Sequence, residues 1–429
     1  MMQSPTPSYY RATATPYASY APLHGQQQTH IAIVGGGYAG LNTALGLAER
    51  GVRDVVVLER EQIGFGASGR NGGFVFGGYS LGERTLLDQL GEQRAQALFQ
   101  LTTAAVERIR QRVGKYAIAC DMVDQGVIWA NWFRDPGVLR KRQQMLAEHF
   151  DTHWEWLPQQ ELRERVRSER YYDGLYERHA LHLHPLNYAI GLASAAAGQG
   201  VRIHEDSAVW RLRREGTRWR LSTAQGELLA DQVVLACGGY LAGLQKKIDR
   251  AILPIATYVM ATEPLGDRLD TCLHTRAAIY DSRFAFDYYR PLPDTRLLWG
   301  GRISVRNRSP NAVKKLLGHD LLRVFPQLKG VKIDYAWSGL MSYARHQMPQ
   351  IGSSGDGLWW AQAFGGHGVA PTCAAGELLA AAIAGGDEGW KQFSNYGLDS
   401  THRPLGFLGA QASYWWHQSN DWFKTRLEG

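Results

Sequence analysis

Gly35, Gly37 and Gly40 keep the spacing G-x-G-x-x-G between an apolar run, Ile31 to Val34, and a stretch of helical pattern. Nineteen residues past Gly40, Glu59 ends a second apolar run, Val55 to Leu58. Together these residues can hold a dinucleotide. Gly35 permits a tight turn out of the strand, Gly37 lets backbone approach a pyrophosphate, and Gly40 lets the helix that begins with Tyr38 and Ala39 pack close to the strand. The phosphates would then meet free N–H groups at the positive end of a helix. A carboxylate at Glu59 can accept hydrogen bonds from ribose hydroxyls and would repel a 2′-phosphate, so FAD or NAD is expected rather than NADP.

Two further glycine clusters stand out, and the density of the first lets backbone pass close to something flat or crowded. Gly66-Ala67-Ser68-Gly69-Arg70-Asn71-Gly72-Gly73 follows the first unit, and Gly365-Gly366-His367-Gly368-Val369 leads into a helical pattern from Pro371 to Ala384. Side chains able to act on a substrate lie nearby in the sequence. Tyr288 and Tyr289 alternate on one strand, so only one can face a site while the other packs elsewhere. Arg290 could hold a remote carboxylate or serve in an ion pair. His367 could hydrogen-bond cofactor or substrate, or could be structural. Arg345 and His346 are further candidates. His182 and His184 precede Pro185 and read as the approach to a helix; with no third ligand in the pattern, no metal is expected. Cys373, inside the last glycine-initiated helix, reads as a small buried residue.

Pattern along the chain supplies the supporting elements. Helical periodicity is expected over 81–113, 136–148 and 188–199, and strands over 122–130, 201–204, 208–221, 233–240, 252–263, 283–290, 296–303, 334–340, 349–352 and 358–363. The fold class is α/β, a Rossmann-like dinucleotide domain of the glutathione-reductase type with an inserted antiparallel sheet over the substrate. The expected division is an N-terminal arm (1–28), a discontinuous cofactor domain (29–80, 150–245 and 335–390), a substrate domain (81–149 and 246–334), and an aromatic tail (391–429) that covers the protein's own surface.

With 429 residues, of which 45% are hydrophobic, the chain can bury a large core. Its net charge of +7 is carried by scattered Lys and Arg residues without a basic stripe, so acidic small molecules are better partners than nucleic acid. The four cysteines form no CxxC pair, which predicts a reducing, cytoplasmic setting. Residues 1–28 lack the apolar centre of a secretory signal, and no apolar stretch reaches about 18 residues, so no transmembrane segment is expected.

The ordered set of motifs resembles the D-amino-acid oxidase/glycine oxidase group of FAD enzymes, and within it the γ-glutamylputrescine oxidase branch. The matching pieces are Ser8-Tyr9-Tyr10, G-G-G-Y-A-G-L at 35–41, G-A-S-G-R-N-G-G at 66–73, H-P-L-N at 184–187 and A-C-G-G-Y at 236–240. Y-Y-R at 288–290, L-L-W-G-G-R at 297–302, W-S-G-L at 337–340, M-P-Q-I-G at 348–352 and G-G-H-G-V-A at 365–370 complete it. The resemblance implies that the 66–73 loop and the 365–370 turn hold the isoalloxazine, with Arg60, Val209, Cys237, Gly238 and Gly239 among the cofactor contacts. A helix starting after Gly368 would direct its positive end at the flavin, stabilising the reduced form. Relatives that oxidise α-amino acids carry an arginine directly after W-x-G-L; here Met341 stands there, which favours an amine whose carboxylate is distant or absent. No His lies in the first glycine loop and no Cys in 341–349, so FAD should be bound non-covalently. The lysine that some oxidases of the group hold over the flavin is replaced by Leu297-Leu298-Trp299-Gly300, which leaves the acceptor open between O2 and another carrier.

The expected reaction is oxidation of a primary or secondary amine, with γ-glutamylputrescine or a related polyamine conjugate as substrate, to an imine that water hydrolyses to an aldehyde. The alternatives are a dehydrogenase of D-amino acids or secondary amines that passes electrons to a quinone or carrier, its tail touching a membrane surface, and, more distantly, a tRNA-modifying flavoprotein.

Overall fold

A computed structural model describes residues 8–428; the first seven residues of the expected arm and Gly429 lie outside the described residues. Residues 31–34 of strand Gly25–Val34 and all of strand Val55–Leu58 are apolar in succession because both faces of their sheet are covered, one by helices 38–49 and 369–385 and the other by Leu23, Trp219, Leu221, Leu241 and Ile248. That eight-stranded sheet runs in the order 350–353, 358–362, 226–235, 25–34, 55–58, 202–204 and is parallel except at its 350–353 edge and at a hairpin, 211–215 with 218–222, added to strand 226–235. Expectation placed a single strand over 208–221; Gly216, in the left-handed region at φ +59°, turns it into the hairpin.

Helices Tyr38–Glu49 and Val369–Gly385 pack against each other beneath this sheet. Their approach depends on missing side chains: a Cβ on Gly376 would stand 2.5 Å from Asn42 Cβ. Helix Glu92–Lys115 locks the pair, since its buried Arg112 ion-pairs with Glu49 at 2.6 Å, with Glu377, and donates to Asn42 at 2.7 Å. The helix expected over 81–113 is broken in two, 83–90 and 92–115, by Gly91 at φ +75°.

The second sheet holds eight strands in the order 333–343, 253–262, 297–304, 287–291, 278–281, 127–130, 174–177, 155–157. It departs from expectation in two ways. Strands 155–157, 174–177 and 333–343, expected on the cofactor side, pair here, while helix 92–115 packs against the cofactor-side helices; and the 127–130/278–281 pair is parallel within an otherwise antiparallel sheet. Only 127–130 of the predicted 122–130 strand joins it, Val123 making an isolated bridge to His182.

Register across this sheet separates two rows of side chains. Trp129 pairs with Tyr280, Tyr280 with Tyr288 and Tyr288 with Gly300, while Ile128, Ile279, Tyr289 and Trp299 form the adjacent row. Successive residues point to opposite faces. The second row is buried with Val313, Leu317 and Leu321 of helix Pro310–Val324, which Ser309 caps. The first row faces the cofactor sheet and forms one wall of the cavity between the layers.

Both ends of the chain close over this assembly. Ser8 caps a single turn, Tyr9–Ala12, whose Tyr10 is fully buried 4.9 Å from the His184 ring and 5.3 Å from that of Trp337. Helix Leu405–Glu428 packs by Tyr414, Gln411, Asp421 and Thr425. The tail was expected to turn its aromatic residues onto the body. Instead Trp415, Trp416, Trp422 and Phe423 are 61, 67, 50 and 58% exposed, because the polar residues of this helix take the inward contacts.

Candidate active site

One cavity of about 1220 Å³ extends from Glu59 to the aromatic row of the second sheet. At its nucleotide end Gly35, at φ +116°, turns the chain so closely against strand 226–235 that a Cβ would stand 2.5 Å from Ala236 O. The next helix begins at Gly37 without a side-chain cap of its own; Ser68 Oγ accepts from Tyr38 N at 2.9 Å, joining the second glycine loop to the first. Glu59 accepts from Gly36 N at 2.6 Å and from Glu61 N at 3.0 Å, and its burial raises the carboxyl above its ordinary value in spite of these bonds. Arg60, Val209, Gly238 and Gly239 line the same end. So does Cys237, whose thiol is pushed up to about 12 by burial and donates to Val34 O, a structural and not a nucleophilic state.

The middle of the cavity is framed by the other two loops. Asn71 Nδ2 donates to Ala67 O and Ser68 O, and its Oδ1 accepts from Gly73 N, so the 66–73 loop is held from within. Arg70 donates to Phe65 O at 2.8 Å, and its own carbonyl accepts from Trp337 Nε1 at 2.9 Å, tying the loop to strand 333–343. Gly40, Gly69 and Gly73 stand behind this surface, where they allow close backbone packing. Opposite, Ser80 Oγ accepts from Gly366 N at 2.9 Å and fixes the 365–368 turn. Helix Val369–Gly385 begins there with Gly368 and no side-chain cap, so the positive end of its dipole faces the cavity.

The far end is aromatic. Phe74, Phe76, Trp129, Tyr280, Phe286, Tyr288 and His367 line it. The His367 ring meets Phe76 edge-on at 4.7 Å; Phe76 stacks on Tyr280 at 5.7 Å, and Tyr280 on Trp129 at 5.7 Å. Burial lowers His367 to about 4, so its imidazole is neutral at ordinary pH. Met341 lines the cavity near Gly366, and Arg345 lies exposed at its rim.

Three expected site residues are placed elsewhere. Tyr289 stacks on Trp299 at 4.4 Å inside the second core, because register gives its neighbour Tyr288 to the cavity. Arg290 is buried behind the first glycine loop, donating to Gly72 O at 2.7 Å, Leu183 O at 2.9 Å and Tyr10 Oη at 3.3 Å; it props the loop and does not reach the cavity lining. His346 spends both ring nitrogens on the backbone, at Gly397 O and Met348 N, beside Tyr396. His184 caps helix Pro185–Gly198 by accepting from Asn187 N, which matches its reading as the approach to a helix.

A family model for FAD dependent oxidoreductases, the DAO family, matches residues 30–382. The chain belongs to this family. It is 37% identical over 396 residues to gamma-glutamylputrescine oxidoreductase of Escherichia coli (strain K12), with 92% of each chain covered. It is 26% identical over 341 residues to glycine oxidase of Geobacillus kaustophilus, covering 75% of this chain and 83% of that one. The crystal structure of glycine oxidase from Geobacillus kaustophilus shares the fold with a TM-score of 0.71 at 22% identity, over 87% of this chain and 99% of that chain. L-proline dehydrogenase from P. horikoshii does so with a TM-score of 0.72 at 18% identity, over 87 and 97%.

As a member of the DAO family, the chain is an FAD-dependent oxidoreductase. Its residues fit the cofactor. The glycines at 35 and 37 leave a backbone cradle, Glu59 lies at the end of the second strand, an uncapped helix start faces the cavity, and the volume exceeds the ~300–1,000 Å³ of common small-molecule pockets. No helix among the described residues is long and apolar enough to cross a membrane.

The cavity residues missed by sequence reasoning include Phe74, Phe76, Ser80, Trp129, Arg142, Tyr280, Phe286 and Tyr343. Phe74 and Phe76 carried a readable signal, period-two aromatics directly after a glycine loop. Trp129 and Tyr280 did not, because their meeting depends on a parallel pairing between strands far apart in the chain.

Proposed function

We propose that this chain oxidises the terminal primary amine of an acylated diamine, with γ-glutamylputrescine as the preferred substrate, and yields an aldehyde and ammonia. The observation that carries this reading is the 37% identity to the Escherichia coli gamma-glutamylputrescine oxidoreductase across 92% of both chains. A long apolar cavity and Met341 in the position after W-S-G-L support it, since an α-amino acid would find no arginine there.

When bound, FAD supplies a two-electron acceptor for the hydride that leaves the carbon bearing the neutral amine. Substrate amine, water and oxidised acceptor become aldehyde, ammonia and reduced acceptor. The chain's residues bind and orient. Tyr288 and His367 form the walls beside the reacting carbon, the neutral imidazole imposing no positive charge on an amine that must lose its proton. The uncapped start of helix Val369–Gly385 favours the negative charge that accumulates on reduction. Phe76, Trp129 and Tyr280 exclude water from the alkyl chain. We assign O2 as acceptor, non-covalent FAD and a cytoplasmic setting to the same reading. A dehydrogenase delivering electrons to a membrane carrier is the second reading, and the outward aromatic face of helix Leu405–Glu428 is what favours it.

Anaerobic titration of the flavin band near 450 nm is the test. Bleaching by γ-glutamylputrescine, with recolouring and peroxide on admission of air, is expected. Slow recolouring would select the dehydrogenase, and failure of every amine to bleach would overturn the substrate class.

A further inference from the structure

Several arginines packed inside the fold give their guanidinium groups to acidic side chains, whereas the buried Arg290 serves backbone carbonyls and Tyr10. Arg112 lies between Glu49 and Glu377, Arg283 lies between Asp281 and Asp287, and Arg302 uses Nε and Nη2 on the two oxygens of Asp320. Arg142, whose side chain is 23% exposed, has one acidic partner: its Nη2 donates to Glu83, Nε is without a hydrogen-bond partner as it is in Arg112, and Nη1, unlike that of Arg112, makes no hydrogen bond among the described residues. An N–H left unpaired beside the cavity is open to a ligand's acceptor.

The guanidinium lies at the end of the aromatic row. It stands 4.4 Å from the centre of the Trp129 ring and 5.2 Å from that of Trp154, and it lines the cavity with Trp129, Tyr280 and Phe76. The stacked rings of Phe76, Tyr280 and Trp129 therefore run continuously from His367 to Arg142. The other cavity arginines are otherwise engaged: Arg283 and Arg302 hold aspartates, Arg70 holds backbone carbonyls, Arg60 lies at the Glu59 end, and Arg345 is exposed at the rim. Glu177 lies near Arg142 but forms no ion pair with it among the described residues, and burial raises its carboxyl to about 8, so it is largely uncharged at neutral pH. One place beside the guanidinium is left for an acid.

We propose that Arg142 is the anchor for the remote carboxylate of the amine substrate, which would lie along the Phe76–Tyr280–Trp129 wall with its amine toward His367. This rests on the substrate class proposed above and adds the residue that selects within it. A planar fork with spare N–H donors suits a carboxylate, and desolvation by the surrounding rings strengthens the pair. The carboxylate would give Arg142 the second acidic partner that Arg112 and Arg283 already have.

The test compares γ-glutamylputrescine with its α-carboxamide and with N-acetylputrescine on the holoenzyme, as kcat/KM from flavin bleaching in the wild type, Arg142→Met, Arg142→Lys and Arg345→Met. The readout is the carboxylate-to-carboxamide ratio within each protein, which a lower folded fraction does not move. Arg142→Met is expected to reduce this ratio about 100-fold, Arg142→Lys to restore part of it, and Arg345→Met to leave it near the wild-type value. An unchanged ratio in Arg142→Met, or a collapse in Arg345→Met alone, would overturn the assignment while leaving the substrate class intact. If the wild type oxidises amines yet does not favour the carboxylate over its carboxamide, the substrate reading falls and Arg142 falls with it.

Discussion

Tyr288 lies across Gly300, its cross-strand partner, so that a Cβ on the glycine would overlap the phenol ring and its oxygen. Gly72 hems the same ring from the loop side, where a Cβ would stand 2.5 Å from Tyr288 Cε2. The tyrosine is thus seated between two absent side chains, one on the second sheet and one on the loop beside the cofactor cavity. Gly300→Ala should push the ring into the cavity, cost roughly 1–3 kcal/mol of stability by overpacking, and lower kcat/KM for the amine about 10–100-fold. Gly114→Ala, on helix Glu92–Lys115 where an added Cβ would meet nothing within 4 Å, serves as the control. Thermal melts with steady-state rates check this, and full activity in Gly300→Ala would show that the Tyr288 position does not matter.

Arg290 tests the difference between propping a loop and binding a substrate. It gives its N–H groups to Gly72 O, Leu183 O and Tyr10 Oη, three points joining the glycine loop, the 181–184 segment and the arm. Arg290→Met should leave buried carbonyls without donors, cost about 2–5 kcal/mol, and weaken FAD retention. Preference among amines in the molecules that keep FAD should stay as in the wild type. Substrate competition assays on the yellow fraction decide the matter, a selective loss of carboxylated amines being the contrary result.

Glu59 holds Gly36 N–H and Glu61 N–H on its two oxygens. A glutamine in its place has one oxygen, so one of those donors would face an amide NH2. Glu59→Gln should therefore lower stability by ~1–3 kcal/mol and raise the FAD dissociation constant about 10-fold or more. Fluorescence of released FAD on dilution measures it. Unchanged retention would mean that the carboxylate serves the turn alone.

The cofactor-binding half was legible because its logic is local. Gly35, Gly37, Gly40 and Glu59 lie within one strand-helix-strand unit, and both βαβ strands and the glycine turn form where the pattern put them. The aromatic end was not, since Trp129 meets Tyr280 and Tyr288 through a parallel pairing with a strand more than a hundred residues further along the chain. Period-two alternation showed that Tyr288 and Tyr289 must part company. Which one faces the cavity followed only from helix Pro310–Val324 covering the opposite side. Arg290 misled because a strand-end arginine suggested a carboxylate partner, whereas the arm folds over it and its partners are backbone carbonyls and Tyr10.

His367 sits where a base could act, yet burial holds its imidazole at about 4. It is neutral above roughly pH 5, so no limb of the rate profile between pH 5 and 9 should belong to it. His367→Asn should lower kcat/KM through lost packing on Phe76 while its profile stays parallel to the wild type. The ratio of the two enzymes should remain constant within about 2-fold over that range. A ratio that changes steeply near pH 6.5 would identify a histidine titrating in the reaction.

Glu177 provides a signature in stability. Burial raises its carboxyl from 4.5 to about 8, Oε2 has no hydrogen-bond partner, and the nearby Arg142 offsets only part of the desolvation. Between those two values the folded protein holds a proton that the unfolded chain has released. Folding therefore binds a proton, and stability must fall as pH rises through the window. Glu177→Gln has nothing to titrate there. Its melting temperature relative to wild type should increase steadily from pH 5 to pH 8 and level off above, when both are measured in parallel with FAD saturating. A difference that stays flat across that range would mean that Glu177 is charged in the folded protein, with Arg142 as its full counter-ion.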